Sequence, residues 1–165
     1  DRIVPDCMRA WSRGESVTLR NPRATRPWQH VLEPLSGYLT LAAGLSKNTQ
    51  LHGEPFNFGP PAQQNHSVRE LMEAISKHWP DVRWEDGSDS SNGDPYESGL
   101  LKLNCDKALH FLGWQSTLSF TETVRMTAEW YRVYYDNPSL IREKTMAQIK
   151  EYEALASQRG MAWVK

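Results

Sequence analysis

Arg20, Arg23 and Arg26 stand within seven positions of one another in the run RNPRATRPWQHV, residues 20–31, interleaved with Pro22 and Pro27. A guanidinium is planar, permanently charged and forked, so it grips phosphate or carboxylate oxygens with two prongs. The chemistry on offer is anion binding. A solvated, salt-bridged surface is the alternative these residue types leave open.

Other reactive groups show no comparable grouping. No G-x-G-x-x-G follows a strand, and there is no P-loop, no G-x-S-x-G elbow and no H-E-x-x-H helix. The five histidines, His30, His52, His66, His78 and His110, sit in unlike contexts without partner spacing, and each reads as structural. Cys7 and Cys105 lie far apart, outside any C-x-x-C or Cys/His cluster, so both read as reduced, packed thiols with no zinc site. From residues alone the reading is an α/β domain with an arginine-rich anion site and no catalytic or metal-binding residue.

Charge is uneven although it nearly balances: 165 residues carry a net charge of −1 and a pI near 6.6, which excludes a dedicated nucleic-acid binder. Residues 1–30 hold six arginines against three acids, residues 80–106 hold seven acids against one arginine and one lysine, and no lysine precedes Lys47. The length supports one core and one compact unit. No signal peptide is visible and no apolar run approaches the roughly 18 residues of a membrane span, so a soluble cytoplasmic protein is expected. The start, DRIVPDCM, lacks an initiator methionine and is expected to belong to a processed chain or a piece of a larger one.

The elements that must position the arginines are marked by caps and spacing. Ser67 and Glu70 form a capping box ahead of Val68, Leu71, Met72 and Ile75, and Ser119 and Glu122 repeat it ahead of Phe120, Val124, Ala128, Tyr131 and Tyr135, read as a core stripe. Pro34 opens a helix ending near Leu45, with Leu35, Tyr38, Leu39 and Ala42 as its buried face. Asp106 caps a short helix that Gly113 stops, and Ile141, Ile149, Tyr152 and Leu155 mark a last, partly exposed helix with frayed residues after it. Strands are expected at 17–21, 28–31, 55–59, 82–85 and 100–104, and a loop at 88–99. The order mixes α and β.

The stretch DRIVPDCMRAWSRGESVTLRNPRATRPWQHVLEPLSGYL, with PFNFGP, LLKLNCDKALHFLGW and TAEWYRVYYDNP, resembles the C-terminal half of the nucleotide-sugar branch of the extended short-chain dehydrogenase/reductases. Within that branch, TRPWQHVLEPLSGYL and LLKLNCDKA are most similar to the CDP-glucose 4,6-dehydratases. Related epimerases and dTDP-glucose dehydratases usually show Arg-Asp-(Trp/Tyr), a valine and an acidic pair where this chain reads Arg26-Pro27-Trp28 and Val31-Leu32-Glu33-Pro34.

The resemblance implies an α/β, Rossmann-like fold of which residues 1–165 are the substrate-binding C-terminal portion, with 28–45 and 55–59 packing onto an N-terminal Rossmann sheet. It implies conversion of CDP-D-glucose to CDP-4-keto-6-deoxy-D-glucose with internally recycled NAD, in deoxysugar and O-antigen precursor synthesis. NAD and the family's Tyr-x-x-x-Lys pair would lie on the N-terminal segment, since no tyrosine here has lysine four positions on; this chain alone is expected to be inactive. The whole enzyme would be a homo-oligomer, with no nucleic-acid or membrane partner.

Carried over by position, Arg26 resembles the family's diphosphate-binding arginine. Arg2, Ile3 and Pro5 match the stretch bordering base and ribose, Leu19, Arg20 and Asn21 a strand end beside the base, and Asn57 an asparagine near the diphosphate. Tyr96 and Glu97 match a loop that in relatives reaches phosphates or sugar, although Asp94 stands where that loop's arginine is expected. Three other readings remain open: a stand-alone, non-catalytic nucleotide-sugar binding module, a related epimerase or dehydratase using another base, and a structural assembly domain. The two strands at 28–31 and 55–59 are expected to be edges of an incomplete parallel sheet, leaving the isolated chain marginally stable.

Overall fold

Cys7, Met8 and Trp11 recur at helical spacing behind Pro5, whose missing N–H costs nothing in a first helical turn. The resulting helix α1, Ile3–Trp11, buries all three and was not anticipated from the sequence. The computed structural model describes residues 2–80, 82–87 and 99–164; Tyr96, Glu97 and most of the 88–99 loop lie outside them. After α1 come β1 (Val17–Leu19), β2 (Thr25–Arg26), α2 (Leu32–Leu45), β3 (His66–Ser67), α3 (Val68–Ile75), β4 (Trp84–Asp86), α4 (Asp106–Leu112), α5 (Phe120–Asp136) and α6 (Ile141–Gln158). Single 3-10 turns occupy Thr49–Leu51, Pro138–Leu140 and Ala162–Val164.

The strands are short and pair in two small ladders. β1 runs parallel to β4 with Val17 opposite Trp84, and β2 runs antiparallel to β3 with Thr25 opposite Ser67. Leu100, in the expected strand 100–104, adds a parallel bridge to Thr25, and among the described residues no named strand forms there.

Two further strand expectations are corrected. At 28–31 the chain turns: Trp28 N–H donates to Arg26 O at 2.9 Å, Glu33 N–H donates to His30 O at 3.0 Å, and Pro27 has no N–H to give a ladder. At 55–59, hemmed by Pro55, Pro60 and Pro61, the backbone forms no ladder among the described residues, and Phe56 and Phe58 act as packing side chains. Residues 28–31 are therefore a turn and not a strand, and 55–59 has no ladder partner among the described residues.

Both capping boxes form. Ser67 Oγ accepts Glu70 N–H at 3.2 Å while Glu70 accepts Ser67 N–H at 2.7 Å, and Ser119 and Glu122 repeat the exchange. They aim α3 and α5 so that Val68, Leu71, Met72 and Ile75 meet Val124 and Ala128 in the main core, with Cys7, Met8, Trp11 and Leu19. Phe120, Tyr131 and Tyr135 pack half-buried at its margin, so the stripe on α5 is core. Ser67→Ala removes one cap of this core helix, and we expect a loss of about 1 kcal/mol, read as a lower denaturant midpoint at unchanged m-value.

Helix α2 is rotated relative to its expected orientation. Leu35, Tyr38 and Leu39 are exposed, at 45, 58 and 73 %, whereas Glu33, Ser36 and Gly37 are buried. The reason is local. A Cβ on Gly37 would lie well inside contact of the Phe58 ring, so glycine lets that ring close on the helix, and Glu33 and Ser36 have buried hydrogen-bond partners waiting on α6 and ahead of α5. Helix α4 ends as expected, at Gly113 with φ of 63°, but Asp106 is its first residue and Asn104 Oδ1 accepts the Asp106 N–H at 3.0 Å. The segment after α6 is docked and not frayed: Trp163 stacks on Tyr152 with ring centroids 5.5 Å apart. Arg159 ties this end to α5 through Glu122, whose carboxyl it holds down at about 2.

Candidate functional site

An open cleft of about 1630 Å³ runs between the start of α1, the end of β1, the 26–32 turn and the α5–α6 pair. Seven of the ten expected binding residues line it: Arg2, Ile3, Pro5, Leu19, Arg20, Asn21 and Arg26. They come from three separated stretches, and the fold's work is to bring these together. Packing of Cys7, Met8 and Leu19 in one core sets the start of α1 beside the end of β1. The Thr25–Ser67 ladder then fixes where Arg26 leaves the sheet.

The arginines differ in setting. Arg2 and Arg20 are exposed at the rim, and Arg26 is half-buried, with Nη1 donating to Thr25 O at 2.8 Å. Rim cations attract an anion at long range, whereas a half-buried guanidinium is less screened and holds it more strongly. Asp6 is the carboxylate on this wall. It accepts the Arg2 N–H at 3.1 Å and pairs with Arg9 at 3.4 Å, so its charge is already engaged. Leu19 is 2 % exposed, its side chain lies in the core, and its carbonyl accepts Gly87 N–H at 2.9 Å. It supplies an apolar floor.

Asn57 is not among the cleft residues; it is exposed, and its Nδ2 donates to Asn104 O at 3.2 Å. Tyr96 and Glu97 lie outside the described residues.

The cleft also holds residues that sequence reasoning missed. Trp28 lines the same turn as Arg26, its indole N–H donating to His66 O at 2.8 Å. Gln29 Nε2 donates to Phe58 O at 3.2 Å, which fixes the amide and leaves Oε1 buried without a partner among the described residues. His30 is almost wholly buried, and burial lowers its pKa to about 4. Opposite them stand Trp130 and Tyr131 of α5. Trp130 is pinned by its indole N–H to Thr145 Oγ1 at 2.9 Å and stacks on Tyr134 at 5.4 Å. The available signal was position: Trp28, Gln29 and His30 follow Arg26 immediately and precede a helix start.

A basic rim, one half-buried guanidinium, an apolar floor and fixed aromatic walls suit an anionic ligand with a flat or ring-shaped body. Cys7 reaches the cleft, but burial pushes its thiol up to about 12 and its Sγ contacts Met72 Sδ at 3.8 Å, so it stays an inert thiol.

No family model matches the chain. It is 37 % identical over 136 residues to CDP-glucose 4,6-dehydratase of Salmonella typhimurium, an alignment that covers 81 % of this chain and 37 % of that protein. Among solved structures it is similar to a UDP-glucose 4-epimerase from Stenotrophomonas maltophila with bound NAD and formylated UDP-arabinopyranose. That match has a TM-score of 0.65 at 21 % identity and covers 82 % of this chain and 41 % of the epimerase. An epimerase from Methanothermobacter thermautotrophicus matches with a TM-score of 0.61 at 22 % identity, over 87 % of this chain and 40 % of that one. The chain thus spans well under half the length of each of these relatives. Over most of its length the chain is similar in sequence to that dehydratase and in fold to those epimerases.

Proposed function

We propose that this chain is the nucleotide-sugar-binding portion of a CDP-glucose 4,6-dehydratase. The observation that carries the reading is the convergence of Arg2, Ile3, Leu19, Arg20 and Arg26 on one cleft, in a chain similar to that dehydratase. Arg26 would hold the diphosphate, Ile3 and Leu19 would wall the base, and Arg20 would stack on it or bond it. Binding remote parts of the substrate in this way fixes the hexose for chemistry elsewhere.

The described residues of this chain do not fit a nicotinamide cofactor. Its positive-φ glycines, Gly14, Gly53, Gly113 and Gly160, stand at separate turns and helix ends, and none opens a helix directly after a strand. NAD and the acid/base groups are assigned in this proposal to an N-terminal Rossmann segment, so the present chain is inactive by itself. The exposed apolar face of α2, Val31, Leu35, Tyr38 and Leu39, is where that segment would pack. Assembly as a homo-oligomer in the cytoplasm, in deoxysugar and O-antigen precursor synthesis, belongs to the same proposal. Among the described residues no helix is long and apolar enough to cross a membrane.

The test is a calorimetric titration of CDP-glucose, UDP-glucose and CDP into this chain and into a longer chain carrying the dehydratase's N-terminal segment. Preference for CDP-glucose is expected, strongest in the longer chain. A charge-assisted contact contributes about 1.5–3 kcal/mol, so Arg26→Ala should weaken binding about tenfold or more without lowering thermal stability. Unchanged affinity in that variant would remove Arg26 from the site.

A further inference from the structure

His30 is a polar side chain of the cleft that the fold uses on one side alone. It is 7 % exposed, lines the cleft, and stands where the chain after Arg26 turns into α2. Its Nδ1 accepts the Leu32 N–H at 3.3 Å. Burial keeps the ring neutral at neutral pH, against a weaker opposite pull from Glu151 on α6. A neutral imidazole that accepts at Nδ1 carries its single proton on Nε2.

Among the described residues nothing accepts that proton. Nor is the atom sealed away: the buried side-chain nitrogens and oxygens without a partner are Gln29 Oε1, Thr117 Oγ1 and Trp163 Nε1. Nε2 therefore keeps access to solvent, and the open space His30 borders is the cleft. A buried ring held by one nitrogen with the other left as a donor is a pre-oriented hydrogen-bonding group.

We propose that His30 is a further ligand-binding residue, donating its Nε2–H to an oxygen of the bound nucleotide sugar on the wall that carries Arg26. This deepens the proposed function and rests on it. A neutral donor adds direction without adding charge, which complements the guanidinium: Arg26 attracts the anion, and His30 fixes how it lies.

The test separates the two ring nitrogens. An asparagine amide oxygen stands roughly where Nδ1 stands and can still accept from Leu32, but it offers no donor at the Nε2 position. A glutamine amide nitrogen reaches the Nε2 position and loses the Leu32 contact. CDP-glucose and CDP are titrated into whichever of the two polypeptides binds them, as wild type, Arg26→Ala, His30→Asn and His30→Gln. We expect His30→Asn to lose about tenfold in affinity and His30→Gln to stay within about threefold. Equal loss for both ligands puts the accepting oxygen on the nucleotide, and loss for CDP-glucose alone puts it on the hexose; either supports the proposal.

Native affinity in His30→Asn, or the reverse order of the two variants, overturns it and leaves His30 as a backbone anchor. If a variant melts early, the imidazole nitrogen spectrum of the wild type decides: an Nε2–H resonance that shifts as CDP-glucose saturates the site supports the contact, and an unmoved one refutes it. When wild type binds and Arg26→Ala weakens binding but His30→Asn does not, His30 alone falls. Wild type that binds neither ligand in either polypeptide takes down the site and this proposal together.

Discussion

Glu33→Ala is expected to destabilise the chain by about 3–5 kcal/mol, measured by denaturant titration, because it strands buried donors. Glu33 is 1 % exposed, and its oxygens accept Thr117 N–H at 3.0 Å, Leu118 N–H at 2.6 Å and Tyr152 O–H at 2.9 Å. It joins the first turn of α2 to the two residues ahead of the α5 cap and to the middle of α6. Truncation removes the acceptor and leaves two backbone N–H groups without a partner in a dry interior, while the Tyr152 hydroxyl is left with Ser36. Glu33→Gln keeps the shape and one acceptor oxygen, so its loss should be clearly smaller.

The sign of the pH dependence follows from the same geometry. Burial raises the Glu33 carboxyl pKa, while the Leu118 and Thr117 N–H groups, the Tyr152 hydroxyl and Arg159 pull it back, and the net direction is upward. A carboxyl raised on folding binds its proton more tightly in the native state. Its contribution is full below the unfolded value and is lost as pH rises through the folded one. Glu33→Gln cannot titrate there, so its stability curve should lack that downward slope at the alkaline side of the carboxylate range.

The sequence made the helices legible where a local rule decides. Ser67 with Glu70 and Ser119 with Glu122 signal their own helix starts, and Gly113 its helix end, because the partners sit within a turn of one another. Leu35, Tyr38 and Leu39 misled because hydrophobicity says which face wants to leave water and not what will cover it; the buried face of α2 is set by distant Phe58, Thr117 and Tyr152. The runs at 28–31 and 55–59 have strand-like side chains, but ladders need neighbours and donors, and Pro27 and the prolines around Phe56 and Phe58 withhold donors. The candidate cleft was legible in part, since Arg26, Arg2 and Arg20, named from family resemblance, all line it. Gln29 and His30 were not legible, since a lone amide or imidazole acquires meaning only when one end is found bonded and the other open.

Trp114→Ala should cost about 3–5 kcal/mol, the range for deleting a large buried aromatic. Trp114 is 1 % exposed and sets its ring edge-on to Phe58, with centroids 4.9 Å apart, while its indole N–H donates to Ser36 Oγ at 2.9 Å. Ser36 in turn shares a hydrogen bond of 3.0 Å with Tyr152, which donates to Glu33. Trp114 and Glu33 are thus two ends of one polar chain, so the double variant should lose less than the sum of the singles, by a coupling of about 0.5–3 kcal/mol. Trp114→Phe keeps most of the volume and removes the donor, and should fall between wild type and alanine. The chain of bonds ends at Glu33, one residue beyond Leu32 at the cleft edge. Where these variants remain folded, stability should drop without a matching loss of ligand affinity, whereas Arg26→Ala should do the opposite. A crossed pattern of that kind in one set of melts and titrations separates the residues that hold the cleft in place from those that hold what enters it.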